Sequence, residues 1–141
     1  MTQVEIELPD TFLFATEVAV RITDINYGNH LGNDAYFGLL HEARMRWLHQ
    51  YGWTELDIDG IGLIMVDVAM KFQAEVQFAD RLRIELAVSD VTHCGFLLTY
   101  RLTNIATGKD VAMARTRMVC FNYTSRKIAP IPPALAARLT S

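Results

Sequence analysis

The chain has 141 residues, a formal net charge of −3, and a composition that is 51% hydrophobic and 21% charged. That length suits one domain, here taken as 1–141, with a core that removes about two-thirds of the unfolded surface from water. The balance of apolar and charged residues excludes a disordered chain, and the acidic total without any Lys/Arg cluster argues against a nucleic-acid partner.

The first ten residues, MTQVEIELPD, show no basic region and no apolar run, so no secretory leader is expected, and no apolar run approaches transmembrane length. Cys94 and Cys120 are too few for a disulfide framework and too far apart for a metal motif, and His41, His49 and His93 are scattered. The expectation is a cytoplasmic chain with free thiols, no metal, no cofactor and no membrane partner.

Residues 12–23 read as a strand in which Val18, Val20 and Ile22 alternate with more polar positions. The loop 24–33 follows, and Asn33 is a plausible N-cap for a helix over 34–51. On that helix Tyr36, Leu40, Ala43, Trp47 and Tyr51 recur every three or four residues, while Glu42 and Arg46 form an i,i+4 pair on the other side. Phe37, Leu39, Met45 and Leu48 widen the apolar surface, so the helix should be largely enclosed. Gly52 fits a helix C-terminus.

Four strand patterns come next: 62–76, 81–91, 95–104 and 110–122. The connections Phe78-Ala79-Asp80, His93-Cys94-Gly95 and Ala106-Thr107-Gly108-Lys109 are short enough for hairpins, which makes sequence neighbours antiparallel. The tail after Pro133 suits a terminal helical turn. One helix segregated from a run of strands gives an α+β domain, an antiparallel sheet wrapped around a central helix. Ala69, Leu97, Ala112, Ala114 and Met118 place apolar residues on the sheet's outer face, which predicts packing against a second subunit as a homodimer or homotetramer.

The loop is the candidate site. A helix N-terminus presents unpaired N–H groups and the positive end of a dipole. Asn26, His30, Asn33 and Asp34 gathered there have the parts to meet a developing negative charge. The same residue types are also ordinary loop and cap residues.

The run Asp24-Ile25-Asn26-Tyr27-Gly28-Asn29-His30-Leu31-Gly32-Asn33, followed by Tyr36 and Glu42-Ala43-Arg44, resembles the Asp-x-Asp-x-x-Gly-His-Val-Asn-Asn pattern of hot-dog-fold acyl-CoA thioesterases of the 4-hydroxybenzoyl-CoA type. Phe78-Ala79-Asp80 resembles that family's Gly-Asp turn, and Arg126-Lys127 with Pro130 and Pro132 resembles its basic turn and Pro-rich close. The resemblance implies a hot-dog fold and hydrolysis of an acyl-CoA thioester. It also implies substrate contacts from Tyr27, Gly28, Asn29 and Gly32, and phosphate contacts from Arg126 and Lys127.

The chain departs from the pattern at three positions. Asn26 stands where the family's second Asp supplies a carboxylate, and an amide can neither take a proton nor attack at neutral pH. Asn29 replaces a Gly, and Gly32 replaces an Asn. A carboxylate one residue past Asn33, at Asp34, then becomes the candidate general base ahead of Asp24 and Glu42, with His30, Asn26 and Asn33 as its companions. The alternative is a hot-dog protein that binds acyl thioesters without hydrolysing them.

Overall fold

The computed structural model describes residues 4–140. A short strand, β1 (Phe14–Ala19), leads through a single 3₁₀ turn at Ile22–Asp24 and a polar loop into the long helix α1 (Asn33–His49). The strands β2 (Gly62–Phe72), β3 (Arg81–Ser89), β4 (Gly95–Asn104) and β5 (Asp110–Asn122) follow. The two-residue β6 (Lys127–Ile128) and the one-turn helix α2 (Pro133–Ala136) close the chain. The sheet runs β1-β3-β4-β5-β2, antiparallel throughout, with β6 paired to β5.

Alternation decides which face each strand buries. Leu82, Ile84 and Leu86 of β3 and Phe96, Leu98, Tyr100 and Leu102 of β4 are fully buried under α1. From the helix, Tyr36, Leu39, Leu40, Ala43, Trp47 and Leu48 meet them, and Trp47 lies nearly perpendicular to Phe96 with ring centroids 6.3 Å apart. Burying a large aliphatic or aromatic side chain contributes roughly 1.5–3 kcal/mol, so this layer is the main driving force of the fold.

The structure corrects four sequence expectations. First, the strand expected over 12–23 is shorter, because Asp24 Oδ2 accepts the Arg21 backbone N–H at 2.9 Å and turns the chain before residue 24. Second, β2 and β3 are not a hairpin: β2 pairs with β5 and β3 with β1. Residues 73–80 cross the end of the sheet between them. Gln73 donates to Val111 O at 2.9 Å, Val76 O accepts from Leu31 at 2.7 Å, and Ala79 donates to Val20 O at 3.1 Å. Third, Ala112, Ala114 and Met118 lie on the inner face, fully buried, opposite Leu102, Tyr100 and Phe96. Ala69 and Leu97 do face outward. Fourth, α1 is covered on one side only. Phe37 is 45% exposed, and the edge strand β2 leaves Met65, Val66, Val68 and Phe72 open.

The charged side chain of Arg44 is buried in this core. Arg44 donates to Tyr100 Oη at 3.2 Å and to Glu55 Oε1 at 3.2 Å, and Tyr100 Oη lies 2.6 Å from Thr116 Oγ1. The network fastens the middle of α1 to β4, β5 and the loop after the helix. Burial pushes the Tyr100 hydroxyl well above its ordinary pKa even though Arg44 pulls the other way.

Candidate active site

The loop before α1 is shaped by its own backbone. Asn26 N–H donates to His30 O at 3.0 Å, Asn29 N–H to Asn26 O at 3.1 Å, and Gly32 N–H to Asp24 O at 3.1 Å. Asn29 has φ 65°, in the left-handed region. That explains why the family's Gly is replaced here by Asn, the non-glycine residue that enters this region most readily.

Gly32, not Asn33, is the N-cap, and Asn33 is the first helical residue. The first helical hydrogen bond runs from Tyr36 N–H to Gly32 O at 3.2 Å. The N–H groups of Asn33, Asp34 and Ala35 therefore precede the helical ladder and project from its positive end.

Three of the side chains expected at the site, Asn26, His30 and Asp34, gather around two glycines. A methyl group built on Gly28 would lie 2.9 Å from His30 Nε2 and 3.3 Å from Asn26 Oδ1. One built on Gly32 would lie 2.8 Å from Asp34 Oδ1 and 3.6 Å from Asn26 Cβ. Asn26 thus sits between His30 and Asp34, and the Asp34 carboxylate reaches the neighbourhood of position 26. Asn26 Oδ1 itself accepts the Gly28 N–H at 2.9 Å, a turn-holding contact. Asp24 is buried and held by Arg21, whose Nη2 stands 3.3 Å from its Oδ1.

Two hollows flank the helix start. One of about 300 Å³ is lined by His30, Leu31, Asn33, Tyr36, Phe72 and the crossing residues 73–76. Tyr36 and Phe72 form its aromatic wall, with ring centroids 5.1 Å apart. Burial pushes the Tyr36 hydroxyl from 10.0 up to about 12, so it stays protonated as a donor at neutral pH. The other hollow, of about 340 Å³, is lined by Asp34 with Arg21, Asp24, Glu42 and Arg46. Glu42 is held by Arg46 at 2.8 Å, an i,i+4 ion pair as its spacing suggests.

Several expected residues stay apart from these hollows: Asn26, Gly28, Asn29 and Gly32 line neither. Tyr27 is fully exposed and lines neither. Arg126 and Lys127 sit where β6 meets the Asn122 end of β5, whereas the helix start lies near its Val111 end. About ten strand residues separate the two ends, roughly 30 Å. Arg126 is placed over the Phe121 ring, 5.4 Å from its centroid. Conversely, Glu75 lines the hollow of His30 and Asn33 and was not singled out from sequence. Its only signal was a carboxylate just ahead of the Phe78-Ala79-Asp80 turn.

A family model described as the thioesterase-like superfamily matches residues 20–139. The chain belongs to that superfamily. A curated relative, 1,4-dihydroxy-2-naphthoyl-CoA hydrolase from Synechocystis, is 25% identical over 122 residues, which cover 84% of this chain and 88% of the relative. The crystal structure of a 1,4-dihydroxy-2-naphthoyl-CoA thioesterase from Synechocystis superposes with a TM-score of 0.82 at 23% identity, over 89% of this chain and 94% of that one. A Staphylococcus aureus protein solved in complex with CoA superposes with a TM-score of 0.81 at 15% identity, over 96% and 85% of the two chains. The architecture is the hot-dog fold that the sequence pattern implied. Among the described residues no helix is long and apolar enough to cross a membrane, and no group of three or more His, Cys, Asp or Glu is placed to hold a metal.

Proposed function

We propose that this chain, a thioester hydrolase by family, cleaves an acyl-CoA thioester into a free acid and CoA at the start of α1. The observation that carries the reading is the coincidence of three unpaired helical N–H groups with a carboxylate, Asp34, that crowds Gly32 beside Asn26. The N–H groups of Asn33, Asp34 and Ala35 take the negative charge that develops on the thioester oxygen. Such donors are worth about 3 kcal/mol each in other hydrolases, because they are fixed before the charge appears. Asp34 accepts a proton from water as its oxygen bonds to the thioester carbon. The C–S bond then breaks, and the CoA sulfur leaves as a thiolate that takes up the proton.

His30 and Asn33 orient the thioester from the neighbouring hollow, and Gly28 and Gly32 let it approach the backbone. The Tyr36–Phe72 wall suits an aromatic acyl group, as the name of the Synechocystis relative also suggests. Glu75 supports a second reading of the base, because it shares a hollow with His30 and Asn33 whereas Asp34 lines the other.

The active unit is proposed to be a homodimer, alone or paired into a tetramer, joined along β2. This strand is a sheet edge with its apolar helix-side residues uncovered, an arrangement that isolated chains avoid. Antiparallel pairing of two β2 strands sets the Phe72 end of one beside the Gly62 end of the other. The partner's Arg126 and the partner's Lys127 would then approach this helix start, where the phosphates of CoA need cations.

Release of free thiol from a panel of aromatic and aliphatic acyl-CoAs tests the reading. Asp34→Asn is expected to lower kcat at least about a hundredfold, the usual worth of a general base. Asn26→Asp restores the family carboxylate and is expected to raise activity. Full turnover in Asp34→Asn with loss in Glu75→Gln would move the base to Glu75. Binding of acyl-CoA by the wild type without thiol release would make the protein a binding module.

A further inference from the structure

The only two cysteines of the chain lie 26 residues apart in sequence and are cross-strand neighbours in the fold. β4 and β5 pair with Gly95 opposite Val119, so the next position outward sets Cys94 opposite Cys120. Cys120 N–H donates to Cys94 O at 2.8 Å, which fixes that register directly. Both side chains have the parity of Phe96 and Met118 and therefore point to the helix side. Gly95 permits the approach: a methyl group there would collide with the Met118 backbone oxygen.

We infer that Cys94 and Cys120 form an oxidation site at which a hydroperoxide converts the two thiols into an intramolecular disulfide. Directly opposed residues in a hydrogen-bonded antiparallel pair have Cα atoms about 5.5 Å apart, inside the range a disulfide accepts. Their Cβ atoms stand up to about 5.5 Å apart, beyond the roughly 3.8 Å a relaxed bridge prefers, so closure must draw the strands together. Cys94 lies just outside β4, and Cys120 O is held by Ala129 N–H at 2.9 Å rather than by Cys94. The bond that results is strained and therefore easily reduced.

The two thiols have different parts. Cys94 is half-buried and meets the oxidant; Cys120 is fully buried. Burial and the neighbouring Cys94 push the Cys120 thiol up to about 11, so Cys120 is slow to react and is not the thiol oxidised first. In the first step the Cys94 sulfur bonds to one peroxide oxygen as the O–O bond breaks, giving a sulfenic acid and an alcohol or water. In the second, the Cys120 sulfur displaces that hydroxyl, the S–S bond forms, and water leaves.

The test treats the full chain with hydrogen peroxide and maps its peptides by mass spectrometry without reduction. The expected result is a Cys94–Cys120 cross-link within one chain, free thiols falling from two to none, and full recovery with dithiothreitol. In Cys120→Ala, dimedone should instead trap a sulfenic acid on Cys94. Sulfinic acid on Cys94 with the Cys120 thiol intact in the wild type would overturn the inference, as would cross-links only between chains. The wild-type map decides the matter even if Cys120→Ala fails to fold.

Discussion

Gly32→Ala is a test of Asp34 that leaves Asp34 in place. Gly32 has φ −75° and ψ 153°, a conformation that alanine adopts without strain. Its new methyl would lie 2.8 Å from Asp34 Oδ1, closer than carbon and oxygen pack, while its next neighbours are 3.6 and 3.8 Å away. Asp34 is exposed, so its carboxylate swings aside rather than the backbone. Stability should hardly change: alanine is the poorer N-cap by about 1 kcal/mol. The stiffer unfolded chain returns about 0.4–1 kcal/mol. A catalytic group displaced by about 1 Å costs up to about a hundredfold in rate. We therefore expect Gly32→Ala to keep its melting temperature within a few degrees and to lose about ten- to a hundredfold in kcat, read by thiol release. In the Asp34→Asn background the same alanine should cost little more, because neighbours acting through one group are not additive. Wild-type turnover in Gly32→Ala would refute the reasoning. So would a loss that persists undiminished without Asp34, since the methyl would then be blocking substrate instead.

Ala79 occupies a left-handed conformation, φ 72°, in the turn where the family resemblance places Gly. Ala79→Gly relieves about 1–2 kcal/mol of strain and gives back about 0.5–1 kcal/mol as chain entropy, so chemical denaturation should show a net gain below about 1.5 kcal/mol. Tyr100→Phe leaves Arg44 and Thr116 without their shared partner and should cost about 1–3 kcal/mol in the same assay. Burial raises the folded-state pKa of Cys120 from 9.0 to about 11 and of Tyr36 from 10.0 to about 12. Their contributions are complete below pH 9 and lost as the pH climbs through those values, so the melting temperature should fall over this window, and less steeply in Tyr36→Phe. Val68→Asp on the open edge strand should give a monomer by light scattering; a wild type that is already monomeric at micromolar concentration would remove the dimer.

Much of the fold was legible because alternation is a local signal. Phe96 to Leu102 declares its buried face within one strand, and the bounds 95–104 and 110–122 match the observed strands. What alternation cannot show is which strands pair. Residues 73–76 continue the pattern of β2, yet they leave the ladder to cross the sheet end, so Glu75 looked like one more strand residue. The face of β5 was misjudged because Ala112 and Ala114 are weak markers beside Met113 and Val119, and only pairing with Tyr100 and Leu102 resolves it. Arg44 was readable in principle: it lies four residues from both Leu40 and Leu48, on the buried stripe. The cluster of Asn26, His30, Asn33 and Asp34 was visible as polar residues at a helix start. The distance to Arg126 and Lys127 was not, because it depends on the direction of β5.

The site loop owes its shape to main-chain bonds, within itself and to Val76 across the sheet end. Apart from Asp24 Oδ2 on the Arg21 N–H and Asn26 Oδ1 on the Gly28 N–H, its side chains are spared that duty. Position 32, extended at φ −75°, can therefore trade residues while the curve of the chain stays put, whereas position 29, at φ 65°, suits Gly or Asn. On the proposed reading, a carboxylate can disappear from one point on such a rim and reappear at another while the N–H groups of the helix start stay unmoved, because they belong to the backbone and not to any residue type.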